Sequence, residues 1–124
     1  MRTPIAKAKG LGSAKSGTAH WWRQRLTALG LLPLVVWFVV SMVSLTGADY
    51  ETMLIWLRFP LVSVLLLIFI ALLFYHFRLG LQVVIEDYIA SERAKVLSLF
   101  VTDAFVWIAG LWAALSVLRV YLGN

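Results

Sequence analysis

Three long apolar runs separated by short polar segments set the pattern of the chain: residues 26–48, 59–77 and about 97–118. A bilayer core of about 30 Å needs roughly 20 apolar residues in a helix rising 1.5 Å per residue, so each run predicts one membrane-spanning helix. The expected fold is all-α, with spans drawn at about 26–48, 59–79 and 97–118 in an up-down-up arrangement. Pro33 falls in the first turns of span one, where a lost amide donor costs least, and with Gly30 it can bend the start of that span. Pro60 suits the first helical position of span two. Span three carries one acid, Asp103, and ends at Arg119, whose charge can snorkel to the interface. The polar segments 47–58 and 78–95 read as connections too short to fold alone, with residues 86–95 as an interfacial stretch.

Composition explains why the runs cannot be a water-facing core. Hydrophobic side chains make up 62% of the 124 residues, charged ones 14%, and mean hydropathy is +0.90, whereas soluble domains run at roughly 45–50% apolar and 25% charged. A chain this short could not bury so much apolar surface from water. The absence of cysteine excludes disulfides, thiolate zinc sites, iron–sulfur ligation and cysteine nucleophiles.

Six of the eleven Lys and Arg lie in the first 25 residues, so the net charge of +5 belongs to a tail rather than to a nucleic-acid-binding face. Assigned by side, the N-terminal tail and second connection hold nine basic residues, and the first connection and C-terminus hold two. That asymmetry places the N-terminus in the cytoplasm and the C-terminus outside. A signal peptide is the competing reading, but the first run is long for one and no Ala-x-Ala-like site closes it. Residues 1–18 read as a flexible basic tail and residues 19–124 as the transmembrane domain. Trp21, Trp22, Trp56 and Tyr121 sit near span ends, where amphipathic rings favour the headgroup layer.

An ionisable residue inside a span is a candidate functional group because lipid makes it costly. His76 is the leading case. A neutral imidazole there can bind iron through one nitrogen while a hydrogen bond holds the other; alternatively it bonds a neighbouring helix or points into headgroups. His76, Gly80, Val83 and Asp87 follow at intervals of four, three and four, on one face of a continuing helix. Gly80 leaves a gap that suits a flat porphyrin or, equally, close helix packing. Asp87 and Tyr88 fall where that helix emerges on the cytoplasmic side, with Gln82 and Glu86 nearby. A phenol beside a carboxylate offers what a quinone carbonyl and its proton delivery require; the plainer alternative is an interfacial Tyr with a solvated acid pair. His20, Arg23 and Arg25, just before span one, can pair with carboxylates such as haem propionates or serve as a positive-inside flank. Asp103 reads as a polar contact to a neighbouring helix, or as a helix N-cap if its span starts late.

The pattern His-x-x-x-Gly-x-x-x-x-x-x-Asp-Tyr, here His76, Gly80, Asp87 and Tyr88, resembles the second-helix signature of the smaller membrane anchor subunit of succinate dehydrogenase. His20 to Arg25 followed by Leu26-Thr27-Ala28 is similar to the His…Arg-x-Thr-Ala start of that family. The resemblance implies a non-catalytic anchor and electron-transfer subunit of succinate:ubiquinone oxidoreductase, in a bacterial inner membrane or, in a eukaryote, the mitochondrial one. It implies haem b shared with a second (cytochrome b556) anchor subunit, and ubiquinone bound beneath an iron–sulfur and a flavoprotein subunit. His76 would be an axial haem ligand; Asp87 and Tyr88 would line the quinone pocket; His20 and Arg25 are candidate haem propionate contacts. Other readings of the same features are a fumarate reductase anchor and a noncatalytic scaffold or transporter component.

Overall fold

The computed structural model describes residues 14–123, so most of the proposed tail at 1–18 lies outside the described residues. Four helices follow in order: α1 Ala14–Ser44, α2 Tyr50–Arg58, α3 Pro60–Tyr88 and α4 Glu92–Tyr121. Three of them, α1, α3 and α4, are long and apolar enough to cross a membrane. The fold is all-α, as the apolar runs predict.

Helix bounds differ from the drawn spans, because the helices continue through the charged flanks. At 29 residues α3 is about 43 Å long, the thickness of a bilayer with its headgroup layers. Pro33 consequently lies in the interior of α1 rather than in its first turns. The proline has no N–H to offer the carbonyl one turn back, yet the helix runs on. Only residues 89–91 separate α3 from α4, and Ser91 caps α4 by accepting from the Ala94 amide at 3.4 Å.

The first connection contains a helix that the pattern of long runs did not predict. Gly47 turns the chain at φ +81°, where a side chain would be strained. Asp49 then caps α2 by accepting from the Thr52 amide at 2.9 Å. Hydrogen bonds from the Thr52 side chain and backbone hold the Asp49 carboxyl below the usual carboxylate range. Trp56 of α2 stacks on Trp37 of α1 with ring centroids 6.0 Å apart. Arg58 donates through Nε to the Val120 carbonyl at 3.0 Å, placing a cation at the negative end of α4.

α3 is the central helix: α1 and α4 each pack on it and not on each other, and α2 packs on α3 and α4. The buried positions follow this arrangement. Thr27, Leu31 and Leu34 of α1, Val62, Leu66, Leu79 and Ile85 of α3, and Thr102 and Val106 of α4 form two seams, one on each flank of α3. Most remaining apolar side chains face outward, including Val36, Val40 and Val43 of α1 and Phe100, Trp107 and Trp112 of α4. In water that surface would be prohibitive; in lipid, or against other membrane helices, it is ordinary.

Candidate functional site

His76 faces α1. Its Nδ1 lies 2.8 Å from Oγ1 of Thr27. The Thr27 hydroxyl also lies 2.8 Å from the Arg23 carbonyl and 3.0 Å from the Gln24 carbonyl, within its own helix. Thr27 is buried and His76 half-buried, about 18 Å along α3 from its C-terminal end and so within the hydrocarbon layer. The other ring nitrogen, Nε2, makes no hydrogen bond to a described residue and is not sealed inside the chain.

The α1 side of this seam is a stripe of His20, Gln24, Thr27, Leu31 and Leu34, at the spacing that keeps one helix face inward. Its apolar half is well packed. Gly30 allows α1 to approach so closely that a Cβ there would meet Leu72 Cδ1 at 3.0 Å, which gives this glycine a packing role. Its polar half is not satisfied: His20 Nε2 and Gln24 Oε1 are enclosed and have no hydrogen-bond partner among the described residues. Orphaned buried polar atoms are uncommon and call for a partner. Gly80 sits opposite Gln24, and a Cβ there would meet only the Gln24 Nε2 atom, at an ordinary 3.8 Å. Neither backbone conformation nor contact with a described residue requires glycine at position 80.

The other proposed positions separate from this cluster. Arg25 is two residues from Thr27 and therefore about 200° around α1; it is exposed, its guanidinium 5.2 Å from the Trp21 ring centroid. His20 and Arg25 thus lie on different faces. Asp87 and Tyr88 end α3, both exposed, Tyr88 at 81%. Gln82 donates to Glu86 at 3.1 Å on the same terminal turns.

The run pattern misplaced Arg78 and left Asp103 with two readings, of which the contact to a neighbouring helix is the one found. Arg78 belongs to the interior of α3, not to a connection, and Asp103 lies three turns inside α4, so it is not an N-cap. Arg78 Nε donates to Asp103 Oδ1 at 2.6 Å, with a second, long contact at 3.5 Å from Nη2 to Oδ2. This pair ties α3 to α4 and offsets two charges that lipid would penalise separately. Next to it an apolar groove of about 440 Å³ runs between α3 and α4, lined by Phe74, Tyr75, Val106, Trp107 and Gly110. The groove does not include His76, so this groove and the candidate ligand lie on opposite flanks of α3.

Among the described residues no three His, Asp or Glu side chains converge to hold a metal ion. A single open imidazole nitrogen suits a metal that arrives with its own equatorial ligands, as haem iron does. The unneeded glycine one turn away and the orphaned polar atoms beside it fit the same group.

A family model described as "Succinate dehydrogenase/Fumarate reductase transmembrane subunit" matches residues 1–110. The chain belongs to that family. Among named relatives, the succinate dehydrogenase hydrophobic membrane anchor subunit of Rickettsia bellii is 39% identical over 95 residues, covering 77% of this chain and 76% of its own. The protein of the same name from Paracoccus denitrificans is 29% identical over 121 residues, covering 98% and 93%. The succinate dehydrogenase membrane anchor subunit of Reclinomonas americana is 33% identical over 89 residues, covering 69% and 74%. No solved structure matches. The family and the three apolar helices together make this a multi-pass membrane anchor of the succinate dehydrogenase type.

Thr27 and Gln24 are the residues of the His76 seam that reading for titratable groups within spans did not single out. For Thr27 a signal existed in the chain, since it lies on the inward stripe between Gln24 and Leu31.

Proposed function

We propose that this chain anchors succinate:ubiquinone oxidoreductase in a bacterial inner membrane and helps carry electrons from an iron–sulfur subunit to ubiquinone. The N-terminus is cytoplasmic in this reading. With Arg78 moved into the bilayer the basic residues still divide eight against two in favour of that side. The succinate dehydrogenase names of the relatives favour succinate oxidation over the fumarate reductase alternative.

One observation carries the haem reading: His76 is held at Nδ1 and open at Nε2, beside a glycine that no described residue requires. His76 would supply one axial ligand, and the second would come from a partner anchor subunit, because the other histidine, His20, lies seven residues and about 10 Å along α1 from Thr27, which His76 meets. Haem b bound there supplies a one-electron relay between the iron–sulfur subunit and the quinone. His20 places an enclosed nitrogen in the same seam, where it suits a propionate; Arg25, on the outward face of α1, would reach one only from the partner-facing side.

Tyr88 and Asp87 would contact ubiquinone where α3 leaves the hydrocarbon. Reduction of a quinone to its quinol takes two electrons and two protons. The Tyr88 hydroxyl would donate a hydrogen bond to a quinone carbonyl, and Asp87, exposed beside it, would exchange protons with water. Both need a partner chain to enclose them, in keeping with a pocket shared among subunits.

The test is His76→Ala in the intact complex. The expected result is a lost or shifted b-type signal in the reduced-minus-oxidised spectrum with all subunits still assembled. An unaltered spectrum would remove His76 from the iron.

A further inference from the structure

We infer that Thr27 is a positioning residue for the haem iron: its hydroxyl fixes the tautomer and ring orientation of His76 and strengthens the imidazole as a ligand. This inference rests on the reading of His76 as an axial ligand. A threonine hydroxyl has one proton and two acceptor lone pairs. Three polar atoms surround Thr27 Oγ1 within 3.0 Å: the Arg23 carbonyl, the Gln24 carbonyl and His76 Nδ1.

If the hydroxyl donated to Nδ1, its oxygen would face two carbonyl oxygens at 2.8 and 3.0 Å with no proton between them. Thr27 is 7% exposed, and lipid surrounds this depth, so water cannot relieve that repulsion. The arrangement that satisfies every atom sends the hydroxyl proton to the carbonyls and has Nδ1–H donate to Oγ1. The imidazole proton is then on Nδ1, and the lone pair is on Nε2, the open nitrogen.

The hydroxyl is itself strongly fixed. Its donation back to the preceding turn of α1 confines χ1, and the seam holds α1 against α3 at Gly30 and Leu72. A rigid acceptor on the far nitrogen does what outer-shell partners of metal-bound histidines do: it orients the ring and raises its basicity, with effects on metal affinity of about 10–100-fold. Stronger donation favours ferric over ferrous iron. Removing the acceptor should therefore raise the haem potential.

The experiment uses the assembled complex with Thr27→Val, which keeps the β-branched volume and deletes the hydroxyl, alongside Thr27→Ser, which restores it. Thr27→Val should raise the haem midpoint potential and alter the ferric electron paramagnetic resonance g values, while Thr27→Ser stays near wild type. A tenfold greater loss of affinity for ferric than for ferrous haem corresponds to about 59 mV. A purely packing role for Thr27 would leave both readouts unmoved in Thr27→Val, and that result would overturn the inference. Pulsed electron–nuclear spectroscopy on the wild-type ferric complex tests the same point without a variant. It should find the exchangeable proton on the non-ligating nitrogen of His76 engaged with a hydrogen-bond acceptor; a proton with no acceptor would overturn the inference even if Thr27→Val failed to assemble. If His76→Ala instead left the haem signals unchanged, the ligand assignment itself would fail, separately from the role of Thr27.

Discussion

The two flanks of α3 solve the problem of polar groups in lipid in opposite ways. On the α4 side, Arg78 and Asp103 satisfy each other across 2.6 Å and leave behind an apolar groove. On the α1 side, only two residues away along the helix, His76 is tied at one nitrogen and open at the other, and His20 and Gln24 have enclosed atoms without partners among the described residues. The pair offsets its own charges and ties α3 to α4. An open set is costly in the isolated chain and becomes favourable only when another group completes it. Under the proposed haem reading, the closed flank is structural and the open flank holds the ligand.

The largest effect should come from breaking the closed flank. In Asp103→Leu the Arg78 guanidinium loses its counter-charge within the bilayer, a penalty of up to about 2.5–3.5 kcal/mol by insertion scales. Recovery of assembled complex from membranes should fall steeply. The double variant Arg78→Leu with Asp103→Leu should regain much of that loss, because an apolar pair of similar volume replaces both charges. The haem spectrum of whatever assembles should match wild type in both. A double variant no better than the single one would show that the pair does more than cancel charge. A shifted haem spectrum would break the division between the flanks.

Much of the architecture could be read from the chain because bilayer insertion is a one-dimensional constraint. Run length, the proline at the start of span two and the charge asymmetry all lie along the sequence, and three spanning helices follow from them. The helix ends were less legible. Arg78 looks like the end of a span until Asp103, 25 residues on, is known to meet it. Helix α2 had local signals, with Asp49 as cap, Glu51 in the first turn and Arg58 in the last, but at nine residues it is too short to appear among long apolar runs. His76, Asp87 and Tyr88 stood out because their chemistry is conspicuous in an apolar chain. Thr27 did not, since a lone hydroxyl in a helix ordinarily bonds back to its own backbone, as Ser41 and Ser116 do here. Its partner is 49 positions away, and only tertiary structure reveals it.

A smaller effect is expected at the end of α3, which belongs to neither flank. Tyr88→Phe deletes one hydroxyl and keeps the ring, so quinone affinity should drop several-fold, in line with about 0.5–1.5 kcal/mol for a hydrogen bond to a neutral acceptor. Asp87→Asn keeps size and polarity but cannot exchange a proton near neutral pH, so it should slow turnover more than it weakens binding. Succinate oxidation measured with an artificial acceptor upstream of the quinone should survive both changes. Unaltered ubiquinone reduction in both variants would return these residues to an ordinary interfacial role.

The smallest change sharpens the comparison most, because it separates what the chain needs from what its ligand needs. Gly80→Ala introduces a methyl group whose only neighbour within 4 Å is the flexible Gln24 amide at 3.8 Å, and alanine is favoured over glycine in a helix interior by about 0.8–1.0 kcal/mol. Thermal stability of the apo complex should be unchanged or slightly higher. Haem retention should nevertheless fall if a porphyrin edge occupies the gap beside α3. Gly30→Ala is the control on the same seam: its methyl group meets Leu72 at 3.0 Å, so Leu72 must shift by a few tenths of an ångström. There a loss of stability should precede any loss of haem. Equal haem content in Gly80→Ala and wild type would mean that the open side of the α1–α3 seam is completed by something other than a flat macrocycle at position 80.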